Sequence, residues 1–158
     1  MSGYEIVRLT RLRFRFFWSE SYGQVYPTLR RLEAEGLVAG TAEGGSRGKM
    51  SWSLTDAGRA VLASWLTDGK VADHMRLETL LKAFYAFAGA PGTLSAVLGE
   101  FAERLERDIG ELEIMENQLR NAPDPHKNHL YALMTLEFGL STYRVWKDWA
   151  KRWGKEGR

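Results

Sequence analysis

Several absences narrow what this 158-residue chain can be. It contains no cysteine, which excludes disulfides and thiolate chemistry and agrees with a reducing cytoplasm. No apolar run approaches the roughly 20 residues that a membrane-spanning helix needs. The first residues, MSGYEIVRLTRLR, are amphipathic and basic and lack the apolar segment of a secretion signal. We therefore expect a cytoplasmic protein that makes no contact with a membrane.

Chemical motifs are also missing. The chain has no HExxH or GxGxxG string and no phosphate-binding GxxxxGKS or GxxxxGKT loop. His126 and His129 lie three residues apart, but no cysteine or matching carboxylate accompanies them. The sequence therefore predicts neither an enzyme nor a site for a metal or cofactor.

Net charge is small as well. The value of +2 excludes a uniformly basic nucleic-acid-binding protein. The charges are unevenly placed, however. Residues 1–69 carry nine Lys and Arg against seven Asp and Glu, residues 70–125 six against ten, and residues 126–158 seven against three. A local basic surface in the first third of the chain is therefore compatible with the composition.

The sequence predicts two helices in its first 36 residues. Ser2 can cap a helix that runs to about residue 12. Ser19 or Ser21 can cap a second helix, which ends near Gly36 because glycine favours the left-handed conformation of a helix stop. Pro27 removes one backbone donor, so this helix is expected to begin close before it or to kink there. The helical spacing of three apolar residues predicts the buried side of the second helix: Val25, Leu29 and Leu32.

A β-hairpin and a third helix are predicted next. Two short strands, at about 37–43 and 50–54, flank the loop GGSRGK, and Thr55 can cap a helix that runs to about residue 66. A helix, a second helix and a basic hairpin form the winged helix-turn-helix arrangement, in which the second helix enters the major groove of DNA.

The second helix and the hairpin loop carry candidate DNA contacts. Away from its apolar positions, the helix presents Ser21, Gln24, Tyr26, Thr28, Arg30 and Arg31. Gln can pair with adenine and Arg with guanine or phosphate, while hydroxyl groups can contact phosphate. In the loop, Arg47 and Lys49 could bind phosphate or reach the minor groove. A solvated helix face and a polar loop are the alternatives that these residues leave open.

The rest of the chain has a helical pattern. Residues 75–87 are predicted to be helical, and AGAPG at 88–92 interrupts the pattern. Thr93 or Ser95 then opens a long helix to about residue 119, whose apolar positions alternate in steps of three and four like a coiled-coil face. A last helix is predicted at about 127–153. The sequence thus indicates a mainly α protein with a small β-hairpin and two domains, 1–69 and 70–158.

Aromatic residues in the last helix suggest either packing or a ligand. Three tryptophans at positions i, i+3 and i+7 accompany a nearby tyrosine: Tyr143, Trp146, Trp149 and Trp153. Ordinary core or subunit packing explains such residues. The alternative is a flat aromatic or cationic molecule held between tryptophans at a subunit interface.

Longer strings in the chain resemble a known family. GYEI at 3–6, SYGQVYPTLRRLEAEGLV at 21–38 and SLTDAGRAVLASWL at 53–66 look like the PadR family of bacterial transcriptional regulators. RLETLLKAFYAF at 76–87 and FGLSTYRVWKDWAKRW at 138–153 resemble the C-terminal dimerisation region of its long-tailed members. The resemblance implies a winged-helix repressor, usually a homodimer, that reads an inverted-repeat operator and in some members is released by an aromatic effector. It also places Tyr22, with Gln24, Tyr26 and Thr28, in the recognition helix and Tyr4 in the helix before it.

The chain departs from the family pattern in two places. Family members have an apolar helix before the GYE motif, whereas this sequence begins at Met1. That helix is therefore expected to be absent, leaving apolar surface bare, unless the start lies at an internal Met. The second departure is in the wing, where KMSWSL replaces a more basic, tyrosine-containing strand.

Together these patterns predict a dimeric, sequence-specific regulator of transcription whose partner is double-stranded DNA. Repression at an inverted-repeat operator, with release by an aromatic small molecule, is the expected mode of action. The alternative is a ligand-binding or protein-interaction homologue that has lost operator binding.

Overall fold

A computed structural model describes residues 1–14, 16, 17, 22–42, 50–69, 71, 73 and 75–156. The chain divides into two compact units, Met1–Asp73 (unit 1) and His74–Arg158 (unit 2). Unit 1 contains α1 (Gly3–Arg13), α2 (Tyr22–Ala34), β1 (Val38–Ala42), β2 (Met50–Leu54) and α3 (Asp56–Thr67). Unit 2 contains α4 (Glu78–Phe84), a 3-10 turn (Ala86–Ala88), α5 (Thr93–Asn121) and α6 (His129–Glu156). The predicted fold class, mainly α with a two-stranded hairpin, is confirmed.

Helix α1 begins with the predicted serine cap. The Ser2 Oγ accepts a hydrogen bond from the Glu5 N–H at 3.2 Å, and the Glu5 carboxylate accepts one from the Ser2 N–H at 2.8 Å. This reciprocal capping box satisfies two backbone donors that the helix leaves unpaired, and such a cap contributes about 1 kcal/mol. Val7, on the inner side of the helix, is fully buried.

Helix α2 ends as its sequence predicts. Gly36 has a φ of +71°. The Leu37 N–H donates to the Leu32 carbonyl at 2.8 Å and the Gly36 N–H to the Glu33 carbonyl at 2.9 Å, which is the Schellman pattern. Pro27 lies inside the helix. The predicted caps at residues 19 and 21 lie outside the described residues.

The inner face of α2 is also confirmed. Leu29 is buried, and Val25 and Leu32 are partly buried.

Strands β1 and β2 pair antiparallel, with Val38 opposite Leu54 and Ala42 opposite Met50. Strand β2 has the predicted bounds, while β1 begins one residue later than predicted. The edge of β2 away from β1 is also paired. The Met1 carbonyl accepts a hydrogen bond from the Trp52 N–H at 2.7 Å, and the Met1 ammonium donates to the Trp52 carbonyl at 3.0 Å.

Helix α3 is held tightly against the corner between α2 and β1. Thr55 caps α3, since its Oγ1 accepts from the Gly58 N–H at 3.0 Å and donates to the Gly36 carbonyl at 2.7 Å. Gly58 is buried, and a Cβ added there would lie 1.9 Å from the Leu37 carbonyl oxygen. Only glycine allows this approach, so the position of α3 depends on residue 58.

Unit 2 is built on two long antiparallel helices. The predicted stepwise seam of α5 is buried against α6 at Leu98, Phe101, Leu105, Ile109 and Leu112. From α6, the buried apolar residues are Leu136, Leu140 and Ala150.

Two boundaries in unit 2 differ from prediction. Helix α4 covers Glu78–Phe84 instead of 75–87, and the 3-10 turn Ala86–Ala88 follows it. Helix α5 begins at Thr93, as predicted, and Gly92, with a φ of +85°, is its N-cap. The Ser95 hydroxyl donates to the Gly154 carbonyl of α6 at 2.6 Å. Helix α6 begins two residues late because Lys127 has a φ of +52°.

Among the described residues, the structure contains no helix that is both long and apolar enough to cross a membrane.

Replacing Gly58 with alanine should destabilise unit 1, although helix propensity alone predicts a gain of about 0.5–1 kcal/mol. Because the new Cβ meets the Leu37 backbone, we expect a net loss of at least about 2 kcal/mol in unfolding free energy. Urea unfolding measures this. Gly99→Ala in α5 is the control, since a Cβ there meets nothing within 4 Å and should stabilise the chain. A stabilised Gly58→Ala variant would contradict the tight approach.

Candidate nucleic-acid interface and ligand cavities

The exposed surface of α2 carries two arginines. Arg30 and Arg31 are both exposed. Arg31 Nε lies 3.8 Å from Glu35 Oε1, and its side chain remains 70% exposed. An exposed pair of this kind is weak, so the Arg31 guanidinium is available to a stronger anion such as phosphate.

Tyr26 joins α2 to the start of α1. A Cβ added at Gly3 would lie 2.7 Å from a ring carbon of Tyr26, so the ring covers Gly3 closely. Tyr26 is still 45% exposed, and Tyr4 on α1 is 58% exposed. Tyr26 therefore has a packing role in addition to its predicted contact role.

Gln24 and Thr28 are both exposed, and they border a cavity of about 670 Å³ in unit 1. Its apolar walls come from α1, α2, the turn after α1 and the end of α3: Ile6, Phe14, Phe17, Val25, Leu29 and Leu32, together with Trp65. We call this cavity the unit 1 groove.

Helical spacing explains this placement, because Thr28 lies three residues after Val25 and four before Leu32, and Gln24 lies four before Thr28. Phe14, Phe17 and Trp65 complete the described lining of the cavity from other segments. Sequence reasoning missed these three aromatics, whose only signal was their size.

The other predicted contacts cannot be placed. Ser21, Arg47 and Lys49 lie outside the described residues. Tyr22 begins α2, and its side chain is likewise not described. The same loop contains GGSRG at 44–48, which matches the GxSxG pattern of serine hydrolases. That nucleophile sits on a strand-to-helix turn, whereas these residues connect two antiparallel strands, so the match indicates no hydrolase.

The four aromatics predicted in α6 do not form one site. Tyr143, Trp146 and Trp149 pack against the core formed by α5, where the rings of Phe101 and Trp146 stack at 6.4 Å. Trp153 is 45% exposed and lines neither of the two cavities described here. Packing therefore explains most of this aromatic cluster.

Trp146 and Trp149 also line a cavity of about 500 Å³ within unit 2. Sequence reasoning missed its remaining apolar walls, Met75, Leu77, Leu80, Phe101 and Val145, because they come from three segments distant in sequence. Its two charged side chains, Asp148 and Arg152, lie one turn apart on α6. A planar apolar molecule with a polar end matches this lining.

Ion pairs hold α6 on α5 beside this cavity. The Glu106 carboxylate accepts hydrogen bonds from Lys151 Nζ at 3.0 Å and from Lys147 Nζ at 3.2 Å. These bonds, from Lys151 first and then Lys147, lower the pKa of Glu106 below its usual value. One turn earlier on α6, Arg144 pairs with Glu113 at 2.7 Å.

The histidines do not come together as a metal site. His129 is the first residue of α6, and its Nε2 lies 3.8 Å from Asp124, whose carboxylate also accepts from the Asn128 and His129 N–H groups. In the part of the chain that the structure describes, no three His, Cys, Asp or Glu side chains are close enough to hold a metal ion.

Two family models match the chain, one within each unit. Residues 1–64 match the transcriptional regulator PadR-like family, and residues 75–156 match the family described as virulence activator alpha C-term. The negative transcriptional regulator PadR of Bacillus subtilis (strain 168) is 25% identical over 128 residues, which cover 79% of this chain and 70% of that protein.

Solved structures are similar over nearly the whole chain. A PadR-like transcriptional regulator from Bacillus cereus superposes with a TM-score of 0.82 at 24% identity, covering 99% of this chain and 89% of that one. Bacillus subtilis PadR in complex with operator DNA superposes with a TM-score of 0.80 at 22% identity, covering 100% of this chain and 91% of that one. The same protein in complex with p-coumaric acid superposes with a TM-score of 0.75 at 21% identity, covering 99% of this chain and 90% of that one. At these identities the likeness establishes the fold.

The ion pairs of Glu106 predict a pH dependence of stability. Because the folded pKa is lowered, the stabilisation is present above the unfolded carboxyl pKa and is lost as pH falls through the folded value. The thermal midpoint of the parent should therefore exceed that of Glu106→Gln at pH 7, and the gap should narrow towards pH 3. A gap that widens on acidification would contradict this assignment, and the exposed Glu103→Gln is the control.

Proposed function

This chain belongs to the PadR-like family of transcriptional regulators, and from that premise we propose that it binds double-stranded DNA as a homodimer and represses transcription. Unit 1 is the proposed DNA-binding domain and unit 2 the proposed dimerisation domain. The observation that carries this proposal is the exposed cationic surface of α2, which α1, α3 and the hairpin hold in one position. The bound operator DNA of the Bacillus subtilis relative supports it.

The proposed DNA contacts centre on α2. Arg30 and Arg31 supply guanidinium groups to guanine or phosphate, and Tyr26 supplies a hydroxyl group near phosphate. The family pattern adds further contacts, some of them in the hairpin loop: Tyr4, Ser21, Tyr22, Gln24, Thr28, Arg47 and Lys49. Two such surfaces in a symmetric dimer fit an inverted-repeat operator, because each half-site presents the same groove to one α2.

The proposed dimer interface is an apolar stripe on α6. Its residues follow helical spacing on the side away from the α5 seam, and each is about two-thirds exposed: Tyr131 65%, Met134 61%, Phe138 64% and Val145 66%. Helix α4 and the turn after it add exposed Phe84 and Phe87. Large apolar side chains exposed along one face of a helix are characteristic of a protein interface, and a second copy offers a self-complementary partner.

An aromatic effector is the remaining part of the proposal. The cavity in unit 2, bounded by Trp146 and Trp149, is within the size range of small-molecule sites. The p-coumaric acid complex of the Bacillus subtilis relative supports an aromatic ligand. An effector would release DNA only if it bound the DNA-free arrangement of the dimer more tightly than the DNA-bound one.

Removing the α2 arginines tests DNA binding. Arg30→Ala and Arg31→Ala should each weaken binding to the chain's own promoter DNA by about 1–3 kcal/mol, and the loss of one phosphate contact should lower the salt slope by about 0.9. Fluorescence anisotropy at several salt concentrations measures both. Arg120→Ala is the matched control, since Arg120 pairs with Glu116 on the exposed surface of unit 2.

Two results would contradict the proposal. Absence of salt-sensitive binding to promoter DNA by the parent would rule out a DNA-binding regulator. Equal affinity for promoter and random DNA would favour the competing function, a homologue that has lost operator binding.

A charge in the α6 stripe tests the dimer. Phe138→Glu should convert a dimer into a monomer in analytical ultracentrifugation, because an unpaired carboxylate in an apolar interface is costly. Glu137→Lys is the control, since it changes charge at a neighbouring exposed position outside the stripe. A dimer that survives Phe138→Glu would place the interface elsewhere, and a monomeric parent would exclude the homodimer.

A further inference from the structure

Among the residues that the structure describes, the lining of the unit 1 groove contains no charged side chain. The ten described lining residues are seven apolar or aromatic side chains and three uncharged polar ones, Thr10, Gln24 and Thr28. Arg30 and Arg31 of α2 are not among these lining residues, although Arg31 lies three residues after Thr28. A phosphate, a carboxylate or an ammonium group would therefore have no counter-charge among the described lining residues.

Two of the three polar side chains in the described lining of the groove lie together on α2. The Thr10 hydroxyl already donates to the Ile6 carbonyl at 3.0 Å. Gln24 and Thr28 lie one turn apart on α2, so their side chains point in similar directions and can serve one ligand group together. The Gln24 amide supplies both donors and an acceptor, and the Thr28 hydroxyl supplies one of each.

The volume of about 670 Å³ falls within the 300–1,000 Å³ that small-molecule sites occupy. The exposed fractions of Phe17 and Trp65, 48% and 68%, leave two aromatic faces that a planar molecule can cover. Covering aromatic surface in this way supplies most of the binding energy in such sites.

We propose that the unit 1 groove binds an uncharged, largely apolar small molecule that carries one hydrogen-bonding group, and that this ligand competes with DNA for Gln24 and Thr28. The binding half of the inference stands by itself, while the competition half rests on the proposed function. The regulation it describes is direct, since ligand and DNA use the same two side chains. It needs no change in the separation of two DNA-binding surfaces.

The binding test uses N-phenyl-1-naphthylamine, an uncharged fluorescent probe with one N–H group. The parent should enhance its fluorescence saturably. Trp65→Ala, which removes an aromatic wall, and Thr28→Phe, which fills the groove, should each weaken binding at least tenfold. Trp153→Ala, in unit 2 and outside the described lining of both cavities, is the matched control and should leave this binding unchanged.

Competition is measured on the promoter DNA complex. With the probe at ten times its dissociation constant, the apparent dissociation constant for DNA should rise about tenfold by mass action. Trp65→Ala lies outside the proposed DNA contacts, so it should keep its DNA affinity and lose this response.

Several outcomes would overturn the inference. If no probe binds, the ligand does not bind in the groove. The same conclusion follows if binding is lost in Trp149→Ala but retained in Trp65→Ala. Binding seen only in the Phe138→Glu monomer would show that a second copy fills the groove instead. Saturable binding without any effect on DNA affinity would refute the competition. If the protein binds the probe but not DNA, the proposed function is contradicted and the binding half of the inference still stands.

Discussion

The contact between α3 and the corner at Gly36 and Leu37 is the constraint on which unit 1 depends. Gly58 brings the helix so close that no Cβ fits, and the Thr55 hydroxyl ties the first turn of α3 to the Gly36 carbonyl. This corner is also where α2 ends and β1 begins. The same few atoms therefore fix the direction of α2, the start of the hairpin and the position of Trp65 at the far end of α3.

Unit 2 depends on a different constraint, the long seam between α5 and α6. The buried leucines of α5 supply the apolar contacts, and carboxylates on α5 pair with cations on α6 along one flank. The two helices are 29 and 28 residues long, and this seam holds α6, with its exposed stripe, against α5. The aromatic residues belong partly to this seam and only partly to the cavity beside it.

Local signals predicted most of the fold. Ser2, Thr55 and Gly36 each act within four residues of their own position, so the sequence alone located these helix ends correctly. The late start of α6 was missed because the positive φ of Lys127 depends on how the chain enters a long helix. The 3-10 turn after α4 was missed for a similar reason, since tertiary packing determines where a short helix ends.

The candidate site was less predictable. The separation of Arg30 and Arg31 from the apolar face follows from helical spacing alone. The same spacing places Gln24 and Thr28 beside Val25 and Leu32, but the groove itself does not follow from it, because Phe14, Phe17 and Trp65 come from segments whose distance from α2 no periodic pattern specifies. For the same reason the sequence indicated aromatic residues in α6 but could not divide them between core and cavity.

The pairing of Met1 with Trp52 has a consequence for assembly. A two-stranded sheet has two open edges, and an open edge can recruit a strand from another molecule. Here the backbone at Met1 occupies the edge of β2, and the Ser2 bridge to Ser51 continues that pairing. Residues 1 and 2 thus cover the outer edge of β2, and they leave fewer free backbone groups there for β-pairing with another molecule.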